Sequence, residues 1–195
     1  MLNDRSSTLA LLATRRSGKP REMVAPGPCE AELDQILAIA ARTPDHGKLF
    51  PWRFVIVGED QRAALGEMLV RALEVEDPDG RMAKRDQAIE FAHQAPSLVV
   101  LVSAPISGHK IPPWEQELSA GAAAMNLLTA TTALGYVGGW ITGWPTYSEF
   151  VRHNLCAPGE RIAGFLFLGS PGRPLEERPR PEMSQLVRHW VGPTN

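Results

Sequence analysis

The stretch from Glu115 to Leu134 is dominated by Ala, Leu, Met and Thr, and it constrains the fold more than any other part of the chain. Its spacing predicts one long helix with small apolar residues on most sides. Such a helix has no broad polar face to turn to water, so it belongs at the centre of a packed assembly. A central helix of this kind is expected to bury against a symmetry mate as well as its own core, which predicts a homodimer.

Around it the chain alternates between helical and extended patterns. Thr8 to Ser17 has helical composition, with Gly18 as a stop signal after a basic last turn. From Glu30 to Arg42 the residues Leu33, Ile36, Leu37, Ile39 and Ala40 recur at three- and four-residue spacing, and Pro44 closes the segment. Trp52 to Val57 reads as a buried strand, bounded by Pro51 and Gly58. Asp60 to Val75 and Arg81 to His93 read as helices joined by the acidic turn Glu76–Gly80, and this region is expected to form a mobile cover. Ser97 to Ser103 is nearly all Leu and Val, as in a strand buried on both faces. Gly135 to Thr142 turns into a short strand, Ser148 to Leu155 is a short helix, and Ile162 to Leu168 is a further strand. The tail beyond Pro171 is rich in Pro and Arg. Interleaved strands and helices without repeats predict one α+β or α/β domain over residues 1–195.

Charge and motif content remove several function classes. The 20 Lys and Arg residues are interspersed with 22 acidic ones, giving a formal net charge of −2, so nucleic acid and anionic membrane are poor partners. The longest apolar runs, Ser97–Ala104 and Ala120–Leu128, are too short to span a bilayer. The N-terminus lacks a secretory pattern, and a cytoplasmic location is expected. Cys29 and Cys156 lie far apart and form no CxxC pair, which reads as two inert thiols. No G-x-G-x-x-G follows a strand, and no P-loop, H-E-x-x-H or G-x-S-x-G pattern occurs.

Three clusters carry the remaining chemistry. Arg15-Arg16-Ser17-Gly18-Lys19 concentrates guanidinium, hydroxyl and ammonium donors that could satisfy a phosphate; alternatively, basic residues simply complement a helix C-terminus. The loop Ala41–Trp52, with Arg42, Asp45 and His46 between two prolines, has the build of a ligand clamp, or else His46 is an exposed histidine without a role. Gly135–Trp144 combines glycines, which permit close backbone approach, with aromatic faces for a flat heterocycle; a Gly-rich turn carrying core tryptophans is the plainer alternative.

Taken in order, these motifs resemble the nitroreductase family, most closely its short bacterial YdjA-like branch. The matching stretches are R-R-S at Arg15–Ser17, R-x-P-D-H at Arg42–His46, P-W at Pro51–Trp52, W-E-Q-E-x-S-A-G at Trp114–Gly121, and the Gly-rich segment ending at Gly143. The resemblance implies an α+β fold with a central sheet flanked by helices, an intertwined homodimer, and FMN in each of two interface clefts. It implies that Arg15, Arg16 and Ser17 hold the FMN phosphate and ribityl chain, and that Lys19 lies beside the pyrimidine edge. Arg42 and His46 would reach the flavin from the neighbouring subunit, and Trp140, Ile141 and Thr142 would run beside the ring. Ile141 departs from the basic residue expected there, leaving a backbone contact. Arg180 is the candidate that completes the phosphate site, with Arg173 and Arg178 as rivals.

The activity implied by the resemblance is hydride transfer from NADH or NADPH through flavin N5 to a nitroaromatic, quinone or similar electron-poor small molecule, by ping-pong turnover. The protein would orient the ring and stabilise developing negative charge at its pyrimidine edge, without a general acid or base. Two alternatives belong to other classes: a metal-dependent hydrolase built from Asp45, His46, His109 and Glu115 or Glu117, and a flavin-binding module without turnover.

Overall fold

The computed structural model describes residues 1–80 and 83–193. In chain order its elements are α1 (Thr8–Thr14), β1 (Met23–Val24), α2 (Glu30–Ala40), β2 (Trp52–Val57), α3 (Arg62–Glu76), α4 (Arg85–His93), β3 (Ser97–Ser103), α5 (Pro113–Ala133), β4 (Val137–Ile141), α6 (Trp144–Tyr147), α7 (Glu149–Leu155), β5 (Arg161–Pro171) and α8 (Met183–Leu186). The strands form one five-stranded sheet in the order β1-β5-β3-β2, with β4 also paired to β5. All pairings are antiparallel.

Side chains of β3 alternate across the sheet and build a core on each face, as the two-residue period of a strand requires. Leu98, Val100 and Val102 join Phe165 and Phe167 of β5 beneath α3 and α4. Val99 and Leu101 join Leu166 and Leu168 beneath α2 and α5. The expectation that Ser97–Ser103 is buried on both faces therefore holds. The register of β3 against β5 slips between Leu101↔Gly164 and Val102↔Ile162, which makes Ala163 an extra, bulged residue.

α5 is the central helix anticipated from its composition, spanning Pro113–Ala133. Ala120, Ala123, Ala124, Leu127 and Leu128 face the sheet. Its buried Thr131 and Thr132 hydroxyls are satisfied by donating one turn back to the carbonyls of Leu127 and Leu128, at 2.8 and 2.9 Å. Buried Gln116 fastens the preceding loop, accepting from the Ile106 N–H at 2.8 Å and donating to the Ile111 carbonyl at 3.0 Å.

Several expectations are corrected. Helix one stops at Thr14 rather than near Ser17, because Asn3 folds back on it. The Asn3 N–H donates to the Thr14 carbonyl at 3.0 Å, and its side chain accepts from the Arg16 N–H at 2.6 Å. α2 ends at Ala40, two residues short of Arg42, as the chain turns toward Pro44. α3 is no mobile cover: Leu65, Leu69, Val70, Ala72 and Leu73 are core residues. Phe91 of α4 packs edge-on against both Phe165 and Phe167, with centroids 5.1 and 5.3 Å apart. The expected start of α4 falls partly on residues 81–82, outside the described residues, and its first observed residue is Arg85. None of the described helices is long and apolar enough to cross a membrane.

Candidate functional site

With helix one ending early, Arg15 to Lys19 is not a helix terminus but a connecting segment laid against the sheet edge. The Gly18 N–H donates to the Gly138 carbonyl of β4 at 3.2 Å. This approach depends on absent side chains: a Cβ on Gly139 would lie 2.8 Å from the Gly18 carbonyl oxygen. The glycines of the Gly135–Trp144 cluster thus have a packing role, and that role places the basic segment beside β4.

The Pro- and Arg-rich tail crosses the same segment. Arg16 Nε donates to the Glu176 carbonyl at 2.9 Å and lies 3.8 Å from Glu177 Oε1. Arg180 Nη2 donates to the other side of this bridge, reaching Glu177 Oε1 at 3.1 Å. Between the two chain segments lies a groove of about 270 Å³, whose lining includes Arg16, Ser17, Lys19, Glu22, Arg173 and Arg178.

Arg15 gives the site its electrostatic character. Burial, followed by the positive charges of Arg16 and Arg180, pushes its guanidinium below the ordinary arginine value. Its side-chain hydrogen bond is a 3.4 Å contact from Nη1 to Ser17 Oγ. No carboxylate pairs with Arg15 among the described residues. A half-buried cation surrounded by cations is the environment that an anion with several acceptor oxygens would relieve. Lys19 lies at the rim, with Nζ 3.4 Å from Glu22 Oε1, and its side chain is largely exposed.

Next to this segment, Trp140, Ile141 and Thr142 occupy the end of β4 and the residue after it. The Trp140 indole N–H donates to the carbonyl of bulged Ala163 at 3.0 Å, which holds the half-exposed ring over the strand. The Ile141 side chain packs against the core, accounting for an apolar residue where a basic one was expected. Thr142 is exposed.

The clamp loop is held separately, by α5. Asn126 Nδ2 donates to Thr43 Oγ1 at 2.8 Å, Ser119 Oγ donates to the Pro44 carbonyl at 2.6 Å, and Glu115 Oε2 meets His46 Nδ1 at 2.8 Å. Asp45 closes the loop by accepting from the Phe50 N–H at 2.8 Å. Arg42 is exposed, and its side chain makes no hydrogen bond or ion pair among the described residues.

The structure therefore brings Arg15 together with Arg16, Ser17 and Arg180, and lines the adjoining groove with Arg16, Ser17, Lys19, Arg173 and Arg178. It does not join them to Arg42 or His46: among the described residues no hydrogen bond, ion pair or cavity links the two groups within one chain. Residue type alone did not mark Glu177, which bridges Arg16 and Arg180, or Asn126, which holds Thr43. Glu115 and Ser119 lay inside a recognised motif, and their four-residue spacing was the available signal that they share a helix face. The hydrolase set disperses. His46 meets Glu115, His109 Nδ1 accepts from the Ile111 N–H at 3.1 Å, and Asp45 is committed to Phe50. No group of three or more His, Cys, Asp or Glu that could hold a metal exists among the described residues.

An antiparallel sheet between helical layers, with a groove of clustered charges between the segment after α1 and the tail, defines an α+β class that comparison makes specific. The profile of the Nitroreductase family matches residues 12–170, and the chain belongs to that family. It is 34% identical over 164 residues to the Escherichia coli (strain K12) protein named "Putative NAD(P)H nitroreductase YdjA", covering 84% of this chain and 87% of that one. The fold matches a nitroreductase-like family protein from Bacillus cereus with a TM-score of 0.82 at 19% identity, over 96% of this chain and 97% of the other. A mutant form of the FMN- and NADPH-dependent nitroreductase NfnB, from "sphigopyxis sp. strain HMH", superimposes with a TM-score of 0.69 at 22% identity, over 93% and 97% of the two chains.

Proposed function

We propose that this chain is a single-domain, FMN-dependent oxidoreductase that uses NADH or NADPH to reduce a small electron-poor acceptor, and that it works as a homodimer. The observation that carries the reading is Arg15: half-buried, with no carboxylate paired to it among the described residues, feeling the charges of Arg16 and Arg180, and in contact with Ser17, which lines the groove. This donor set suits a phosphate monoester, whose charge would compensate the clustered guanidiniums. The names of the relatives agree, since one is called an NAD(P)H nitroreductase and a solved neighbour is FMN- and NADPH-dependent.

In the proposed arrangement Arg15, Ser17 and one arginine of the tail hold the phosphate. Lys19, whose side chain pairs among the described residues only with the rim carboxylate of Glu22, is free to swing toward the pyrimidine edge and favour negative charge there. The backbone from Trp140 to Thr142 lines the ring. Bound FMN supplies the two-electron chemistry between nicotinamide and acceptor. The protein's share is to bind, orient and exclude water.

A partner subunit accounts for what one chain leaves separate. The outward side of α5 exposes Trp114, Leu118 and Met125 at 67%, 54% and 41%, with Gly121 and Ala122 between them. These positions recur at helical spacing and form an apolar stripe opposite the sheet-facing side. A second copy on that stripe would bring its own Arg42 and His46 to the cofactor. The purified protein is expected to show a flavin absorption band that bleaches when NADH or NADPH is added without oxygen. A colourless protein that also fails to take up added FMN would overturn the reading; a yellow protein that neither cofactor bleaches would point to a binding module without turnover.

A further inference from the structure

The three α5 side chains that hold the clamp loop fall at positions 115, 119 and 126, and they engage His46, Pro44 and Thr43 respectively. One helix face thus grips the loop at a side chain, a backbone carbonyl and a second side chain. Each contact differs in kind, so together they fix the position of the loop and also the orientation of its imidazole. We propose that Glu115, Ser119 and Asn126 are positioning residues for the cofactor site, and that Glu115 selects the protonation pattern of the His46 ring.

The chemistry follows from the inventory of each group. A carboxylate oxygen can only accept, so the 2.8 Å contact places the hydrogen on Nδ1. In its neutral form the imidazole has one N–H, which this contact commits to Glu115. Nε2 is left as a bare acceptor. The inference rests on the reading that His46 reaches FMN; in that case Nε2 faces a donor of the flavin, a ribityl hydroxyl or ring N–H. Without Glu115 the ring is free to carry its hydrogen on Nε2, where it would meet that donor with a second donor.

The test separates the inference from the reading beneath it. The first measurement uses the protein freed of flavin: ¹⁵N shifts of the His46 ring nitrogens, assigned by loss of signal in His46→Gln, compared among wild type, Glu115→Leu and Glu115→Gln. The second is FMN affinity of the same proteins by fluorescence titration. Expected are an Nδ1–H ring in wild type, a change of tautomer in Glu115→Leu, and retention in Glu115→Gln, whose amide oxygen still accepts. FMN affinity should fall roughly three- to tenfold in Glu115→Leu, the range for one hydrogen bond, and recover in Glu115→Gln. A His46 tautomer that Glu115→Leu leaves unchanged overturns the proposal. So does unchanged FMN affinity in Glu115→Leu when His46→Gln binds more weakly. Unchanged affinity in His46→Gln itself removes His46 from the flavin site, and the inference fails with the reading.

Discussion

Replacing Arg15 with Ala should lower cofactor affinity while leaving fold stability nearly unchanged, and that divergence tests the assignment of the phosphate site. In the protein without cofactor, Arg15 is disfavoured by burial and by the charges of Arg16 and Arg180. What it gains there is one long hydrogen bond to Ser17. Removing it gives up about 0.5–1.5 kcal/mol of hydrogen bond, offset by relief of the repulsion and desolvation. Stability of the apoprotein should therefore stay within about 0.5 kcal/mol of wild type. Against a phosphate dianion the same side chain makes a charge-assisted bond worth about 1.5–3 kcal/mol, so FMN affinity should fall roughly 10- to 150-fold. Affinity for riboflavin, which lacks the phosphate, should scarcely change. Urea denaturation of apoprotein followed by circular dichroism gives the first quantity, and fluorescence titrations with FMN and riboflavin give the others. An Arg15→Ala protein destabilised by more than about 2 kcal/mol, or one whose affinities for both flavins fall equally, would show that Arg15 holds the fold and not a phosphate.

Arg62 is the opposite case, only 3% exposed and donating to the carbonyls of Val57, Ala92, Gln94 and Pro96. Arg62→Met strands those acceptors and should cost about 3–5 kcal/mol in urea denaturation, whereas a loss under about 1 kcal/mol would show that the carbonyls find other partners. If each flavin is shared between subunits, mixing Arg15→Ala and His46→Ala proteins rebuilds one intact site per heterodimer. Recovery of FMN binding after subunit exchange is expected, and its absence when each homodimer is defective would count against the shared site. Burial pushes the Cys156 thiol up to about 11, so its alkylation in the native protein should keep rising with pH beyond 9, while exposed Cys29 reacts more readily at neutral pH. Because the folded thiol keeps its proton longer than the unfolded one, stability should fall as pH rises from about 9 toward 11; Cys156 alkylation that levels off near pH 8.5 would contradict both statements.

Where local composition settles the conformation, the sequence and the structure agree. Trp52–Val57 and Ser97–Ser103 have the same ends in both, because a run of β-branched and apolar residues between turn formers leaves a buried strand as the only good outcome. β1 is different. Met23–Val24 has no strand signature, and it is a strand only because Ser170 and Pro171 pair with it. For the same reason β5 runs from Arg161 to Pro171, past the apolar stretch Ile162–Leu168, since its ends are held by neighbouring strands rather than by burial.

The site divides along the same line. Residue types at Arg15–Ser17 were enough to suggest anion binding, and the resemblance added an arginine of the tail, but their conformation was not legible from them. Helical composition carried the expectation on to Ser17, while Asn3, distant in sequence, accepts from the Arg16 N–H and draws the segment out of the helix. Had the helix continued, neighbouring side chains would have pointed about 100° apart around its axis, and the Gly18 N–H would have been turned toward the helix's own carbonyls rather than to Gly138. The extended path sets Arg15 and Ser17 close enough to touch while Arg16 reaches the tail. The three-residue motif thus serves two surfaces: Arg16 fastens the tail through Glu176 and Glu177, and Arg180, paired to Glu177, adds to the positive charge around Arg15.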